Sequence, residues 1–303
     1  MKNNKYIISF FFALVGSITS VGAQSLLEAL EKKYPETPQY ESATFKASRI
    51  SIGHSVETRK KGVLEIQTMS RFWKLPNFNA QTRSQSFIAD KMSTRIGLEY
   101  GISDRLTYGL GGTTLDGIFD SFLKYKLVRQ VKSGMPISIS VFQNVSYNSK
   151  SAIANNVHLT NEFTDRLAFT SQVLVARKFS KQFSLQIMPT YIYRASSRFS
   201  EDPQHHFAIG VGGRYKLGGH VSVVSEYYYQ VNPLQSRKTY DAFSLGVNWE
   251  LSDVMLQFQL TNIRNETEDA FITQTPNNFN FNDGNFVFGF TGIFILHLNN
   301  GLK

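Results

Sequence analysis

The sequence predicts an all-β protein, a transmembrane antiparallel up-and-down β-barrel of twelve strands. Three observations predict it: an export signal at the N-terminus, segments of about ten residues that alternate apolar and polar from Val63 onward, and links between segments that alternate short and long. Outer-membrane barrels have short periplasmic turns and longer outer loops, and an even strand number returns the chain to its starting side.

The opening MKNNKYIISFFFALVGSITSVGAQ places Lys2 and Lys5 before an apolar run from Tyr6 to Val15 and small residues ending at Ala23. Residues 1–23 therefore read as a signal peptide cut between Ala23 and Gln24, and the apolar run is too short for a spanning anchor. With no cysteine, lipoprotein processing, disulfides and thiolate metal sites are excluded. Losing Lys2 and Lys5 takes the formal charge from +9 to +7. Export argues against nucleic acid as the partner of that charge, and points to outer-membrane lipid and lipopolysaccharide.

Residues 24–62 precede the barrel. Ser25 to Glu28 has a capping-box pattern that opens a short helix through Lys33. Pro35 and Pro38 follow, then TFKASRISIGHSVETRKKG, part of which could be a strand. A thirteenth strand would reverse the parity set by the turns, so 24–62 is expected as a periplasmic leader or a plug tucked into the lumen. The barrel is expected over 63–298, with 299–303 as a tail.

The first segment covers 63–72. The second, 92–102, shows the alternation plainly: Met92, Thr94, Ile96, Leu98 and Tyr100 point one way, and Ser93, Arg95, Gly97, Glu99 and Gly101 the other. One face suits lipid and the other water. Ser103 to Arg105 makes a tight link to 105–112, and 113–116, short for an outer loop, leads to 117–128. The fairly short 130–135 precedes 136–147, and the long 148–164 precedes 165–179. Ser180 to Gln182 then turns into 183–194, and Gly218 to His220 joins 205–217 to 221–230. Finally Ser252 and Asp253 join 240–251 to 254–263, and 264–284 leads to the last strand, 285–298.

Register tests this order, because side chains alternate with period two. The turns make closing pairs of Ile102 with Leu106, Phe179 with Phe183, Leu217 with Val221 and Leu251 with Val254, all apolar and on the expected lipid face. Aromatic girdles fall where interfaces should lie, with Tyr191, Tyr193, Tyr227 and Tyr229 near the outer ends and Tyr100, Phe179, Phe183 and Trp249 near the periplasmic ends. Phe286, Phe288, Phe290 and Phe294 share one face of the last strand, like the signal read by the barrel-assembly machinery, although the chain runs on to Lys303.

The stretches ATFKASRISIGHSVETRKKGVLEI, GLEYGISDRLTYGLG, FLKYKLVRQ with MPISIS, QVLVARKFSKQFSLQIMPTYIYR and FITQT together resemble an uncharacterised β-barrel family widespread in Bacteroidota, a domain of unknown function. The resemblance implies an outer-membrane location and supplies no substrate. Relatives often carry histidines near the first strand, after the seventh and at the tenth-to-eleventh turn. This chain has MSRFW, IYRASS and ELSDVM there, so no ligand role carries over.

Inward-facing charges are the candidates for function: Arg95, Glu99, Asp120, Lys124, Lys126, Arg194, Arg214, Lys216 and Glu226. They could line a mildly anion-favouring pore, or pair and fill the interior, with Arg214 and Glu226 as diagonal neighbours within reach. Among six histidines, His205 and His206 are adjacent and so point to opposite faces, a poor chelate; with no HExxH or His-x-His spacing, neither metal nor cofactor is expected. His54 and His158 are expected in solvent, His220 in a turn and His297 inward by parity. A phospholipase would need serine and histidine together at a lipid-accessible site, and no lipid-facing histidine is expected. The acidic then Asn-rich 265–285 could cap the barrel or bind, but reads as an ordinary long loop. The expected function is a non-catalytic outer-membrane barrel forming a narrow pore for small solutes. The other reading is a plugged structural or binding barrel that meets surface polymers or periplasmic partners.

Overall fold

The computed structural model describes residues 39–74, 89–150, 162–197, 199–280, 282 and 286–298. The chain divides into two compact units, Met1–Gln39 and Tyr40–Lys303, and the barrel belongs to the second. The expected signal peptide, the helix through Lys33 and His158 lie outside the described residues.

Alternating inward-polar and outward-apolar side chains, rich in β-branched and aromatic residues, favour extended backbone. Twelve strands result: β1 Val63–Trp73, β2 Lys91–Gly101, β3 Leu106–Thr113, β4 Ile118–Val128, β5 Ser138–Asn148, β6 Leu167–Lys178, β7 Phe183–Arg194, β8 His205–Lys216, β9 Val221–Gln230, β10 Ala242–Leu251, β11 Val254–Thr261 and β12 Val287–His297. Each pairs antiparallel with its sequence neighbours. β1 closes on β12 from Val63 opposite His297 to Trp73 opposite Val287. A closed sheet has no free edge, which a lipid-embedded sheet requires because nothing in hydrocarbon could satisfy unpaired backbone groups.

The closing pairs follow the expected register: Ile102 N–H donates to Leu106 O, Phe179 N–H to Phe183 O and Leu217 N–H to Val221 O, and Leu251 stands opposite Val254. The brief β3–β4 link turns through Asp116 and Gly117, both at φ 58°. The outer wall is apolar and open, with Ile96, Leu110, Phe119, Ile209 and Val247 exposed. Among the described residues one α-helix forms, α1, over Glu268–Gln274. Its first residue, Glu268, and the next five are all buried, so this helix does not lie on the surface as an ordinary loop would. It sits inside the barrel.

Candidate functional site

The lumen is filled from both ends. From the short-turn end comes the segment 40–62. Tyr40 bridges Val131, Glu41 N–H donates to Gln130 O, and the segment returns where Gly62 N–H donates to Gly101 O. Between these anchors it makes a hairpin inside the barrel: Ser55 N–H donates to Ser48 O at 2.8 Å, and Ile50 N–H to Gly53 O at 3.0 Å. Residues 44–56 are buried apart from the exposed Lys46. From the long-link end comes the stretch after β11, residues 262–275, which carries α1 and whose part from Asn265 onward falls in the segment 265–285 expected as an ordinary long loop.

One carboxylate holds the hairpin tip. Glu226 of β9 accepts from the backbone N–H groups of Ser51 (2.8 Å), Ile52 (2.6 Å) and Gly53 (3.2 Å). A charged acceptor with three donors is among the stronger arrangements available to a buried acid. Polar side chains of the wall bind the rest of the hairpin. Gln186 accepts from Val56 N–H and donates to His54 O, Gln257 donates to Ile50 O, and Gln259 donates to Ser51 O. Ser51 and Ser244 share a hydroxyl hydrogen bond at 2.7 Å. The plug also packs apolar side chains: Phe45, Ile50, Ile52 and Val56 join Phe122, Phe142, Leu174, Met188 and Tyr228 of the wall and Phe271 of α1 in one buried cluster, and Ala47 joins Met255 and Ile293 in another.

The two insertions meet at one ion pair. Arg49 Nη1 of the hairpin donates to Glu268 Oε1 of α1 at 2.8 Å, both side chains fully buried, and His54 Nε2 lies 3.6 Å from the same oxygen. His54 was expected in solvent; it is instead packed against the Phe122 and Phe142 rings, with Lys124 Nζ 3.4 Å from its Nδ1. Burial holds its imidazole well below the usual histidine range, and Arg49, Lys124 and Arg95 push the same way. The Glu268 carboxyl is pushed up by burial, against the pull of Arg49.

The structure puts the inward-facing charges as follows. Arg95 and Asp120 form a two-point pair at 3.0 and 2.6 Å, with the guanidinium lying close over Gly97 and Gly111, where a Cβ would collide with it. Glu99 accepts from Gln67, and Lys124 donates to Ser48 O and Ser55 O. Lys126 pairs with Glu57 of the plug at 2.5 Å, and Arg194 with Asp269 of α1 at 3.1 Å. Lys216 is half-buried at the short-turn rim. The expected Arg214–Glu226 pair does not form. The two are diagonal neighbours, but the plug occupies Glu226, and Arg214 turns to Glu250 and Ser222.

His297 has inward parity but ends its strand, exposed beside Asp253. His220 is an exposed turn residue whose ring meets Glu250 O. His205, for which no outward position was expected, faces outward at the long-link end, where its Nδ1 meets the Tyr191 hydroxyl at 2.7 Å. The sequence reading missed the amides and hydroxyls that grip the plug, Gln186, Ser244, Gln257 and Gln259. Their signal was available, since each has inward parity in mid-strand.

Polar satisfaction is uneven around the wall. Buried side-chain atoms with no protein partner gather on the adjacent β12, β11, β1 and β2: Arg71 Nε and Nη2, Glu99 Oε2, Gln257 Oε1, Gln259 Oε1 and Thr291 Oγ1. A sparser set runs over β5 to β10: Asn144, Thr170, Gln172, Arg194 Nε, His206 Nε2, Gln230 Oε1 and Asn248 Oδ1.

Among solved structures, the chain is similar to an outer membrane channel of Pseudomonas putida F1 at 12% identity, covering 83% of this chain and 100% of that one with a TM-score of 0.48. It is likewise similar to a NanC porin (8% identity, 77% and 99% covered, TM-score 0.46) and a KdgM porin (6% identity, 76% and 98% covered, TM-score 0.45). No curated protein matches. The family described as "Membrane bound beta barrel domain (DUF5777)" matches residues 45–296, the plug as well as the strands, and the chain belongs to that family.

Proposed function

We propose that the chain is a non-catalytic outer-membrane barrel, with its short turns in the periplasm, that conducts small solutes along one wall and is held closed in this conformation by the hairpin and α1. The observation that carries this reading is the lopsided lumen. The larger apolar cluster joins the plug to β4 to β9, whereas the four strands β1, β2, β11 and β12 hold the greater share of the wall's buried polar atoms that lack protein partners. Such groups are costly unless water satisfies them, so that wall is the place where a hydrated path can open. Arg71 on that wall, with Lys124 of β4 across the lumen, biases the path mildly toward small anions, against Glu99 and with Arg95 already paired to Asp120.

Planar bilayers test it. Wild-type protein should show rare, brief openings, and the R49Q/E268Q variant, which removes the ion pair between the two insertions, should open more often with anion preference. A silent bilayer from both proteins, each verified as folded by its unheated gel migration, would instead support the plugged binding barrel. The near-complete burial of the lumen-facing side chains is the observation that favours this second reading.

A further inference from the structure

We propose that the outer wall over β3 to β8 holds an anionic glycerophospholipid, with acyl chains in an apolar groove and the phosphate at a cationic arc on the short-turn rim. The groove is a depression of about 830 Å³ on the lipid face, lined by Leu106, Leu123, Tyr125, Val141, Val173 and Ile209 among others. Its lining is almost wholly apolar; Ser171, which hydrogen-bonds Gln143 at 2.5 Å, is one of the few polar points in it. An apolar trough on a lipid-facing wall fits hydrocarbon, but by itself does not choose among lipids.

The rim supplies the choice. Where the strands flanking the groove turn, Arg105, Arg129, Lys132 and Lys181 are exposed, and Lys60 and Lys61 sit beside the first of those turns. Asp104 is the exposed carboxylate among them. Arg129 stacks over the Tyr40 ring at 4.4 Å and Arg177 over the Phe179 ring at 5.0 Å, so the cations sit at the level of the aromatic boundary, where headgroups lie. Among the described residues the rest of this rim carries no such cluster: the β8–β9 turn is Gly218 to His220, and the β10–β11 turn is Ser252 and Asp253. At the opposite end charges are mixed. Lys74, Lys91, Arg237 and Lys238 alternate with Glu162 and Glu201, and Lys150 is paired with Asp116. Among the described residues the positive excess is therefore concentrated away from the end that would face lipopolysaccharide. Assigning the arc to the periplasmic leaflet rests on the orientation proposed above; the choice of lipid does not, so the two can fail separately.

The test uses full-length protein in nanodiscs of phosphatidylethanolamine with a minor fraction of phosphatidylglycerol of the same chains, followed by native mass spectrometry of retained lipid. Phosphatidylglycerol should be retained in preference, and the preference should fall at high salt. Reversing Arg105, Arg129, Lys132 and Lys181 to Glu should lower it, by roughly five-fold for each cation removed. V173W, which fills the groove and leaves the charges, should also lower it, whereas R237E/K238E at the other rim should not. Equal retention of the two lipids by wild-type protein at low salt, or displacement of phosphatidylglycerol by lipopolysaccharide from the same site, would overturn the proposal. Loss of preference in R237E/K238E equal to that in the arc variant would overturn it too.

Discussion

At the scale of single residues, the lumen is set by a few side chains whose roles depend on what reaches them from elsewhere in the chain. Glu226 holds the hairpin tip only because Gly53 has no side chain: a Cβ there would overlap the Tyr228 hydroxyl. G53A should therefore expel the tip and leave Glu226 buried without its donors, lowering stability by about 2–4 kcal/mol in urea unfolding. An unchanged midpoint would mean that the hairpin does not occupy this place. His54 gives a pH test. The folded protein keeps it neutral well below the ordinary histidine range, so the stability it contributes is present above about pH 6.5 and is lost as pH falls through the folded value. Glu266 and Glu268, pushed up by burial, act in the opposite sense, so wild type must be compared with H54Q, which keeps both. The stability difference between wild type and H54Q should shift against wild type between about pH 7.5 and pH 5.5; a constant difference would contradict the buried neutral imidazole. The inward place of Glu226 was legible from parity, but its partners and the burial of His54 were not. His54 reads as polar surroundings in sequence, because Phe122 and Phe142 lie in other strands that only closure of the barrel brings to it.

At the scale of elements the sequence was far more informative, and the reason is periodicity. In Met92 to Gly101 every second residue must face lipid, so hydropathy alone sets the register, and a two- or three-residue turn leaves no freedom to slip. The turns reveal their geometry less fully. Ser252 adopts φ 50° in the two-residue β10–β11 turn, a left-handed conformation in the first turn position, where glycine is preferred. S252G should stabilise the barrel by about 1 kcal/mol, seen as a higher unfolding midpoint with an unchanged folded spectrum; a lower midpoint would mean that the serine side chain supports the turn. The hairpin 44–56 and α1 were harder to read because neither has the strand period nor the length of an independent helix. Their structure is imposed by the wall: α1 is a seven-residue helix with no side-chain cap at Thr267, too short to persist alone, and it exists among Arg49, Arg194 and Tyr228.

At the scale of the whole molecule, the barrel is a closed wall whose lumen is filled by the hairpin and α1, so the proposed pore turns on whether the hairpin leaves its seat. Wall strands are tied by antiparallel pairing on both sides, with a register shift in β4–β5 between Lys126 and Val128. The hairpin is tied by side-chain contacts, among them Ser51 Oγ to Ser244 Oγ at 2.7 Å, a separation that suits a crosslink. The natural chain has no cysteine, so S51C/S244C introduces a pair with no competing thiol. Oxidation should bond the hairpin tip to β10, giving a shifted band on a non-reducing gel and abolishing the openings predicted for R49Q/E268Q when the two pairs of substitutions are combined. Reduction should restore those openings. The outcome separates two pictures that agree on every static contact. If oxidised protein conducts as well as reduced protein, the path runs beside a hairpin that stays seated, along β1, β2, β11 and β12; if it falls silent, departure of the hairpin from Glu226 is the opening step. Failure of the bond to form within one chain would count against the hairpin's position itself, because the adjoining hydroxyls of Ser51 and Ser244 bring the two sulfurs within reach of each other.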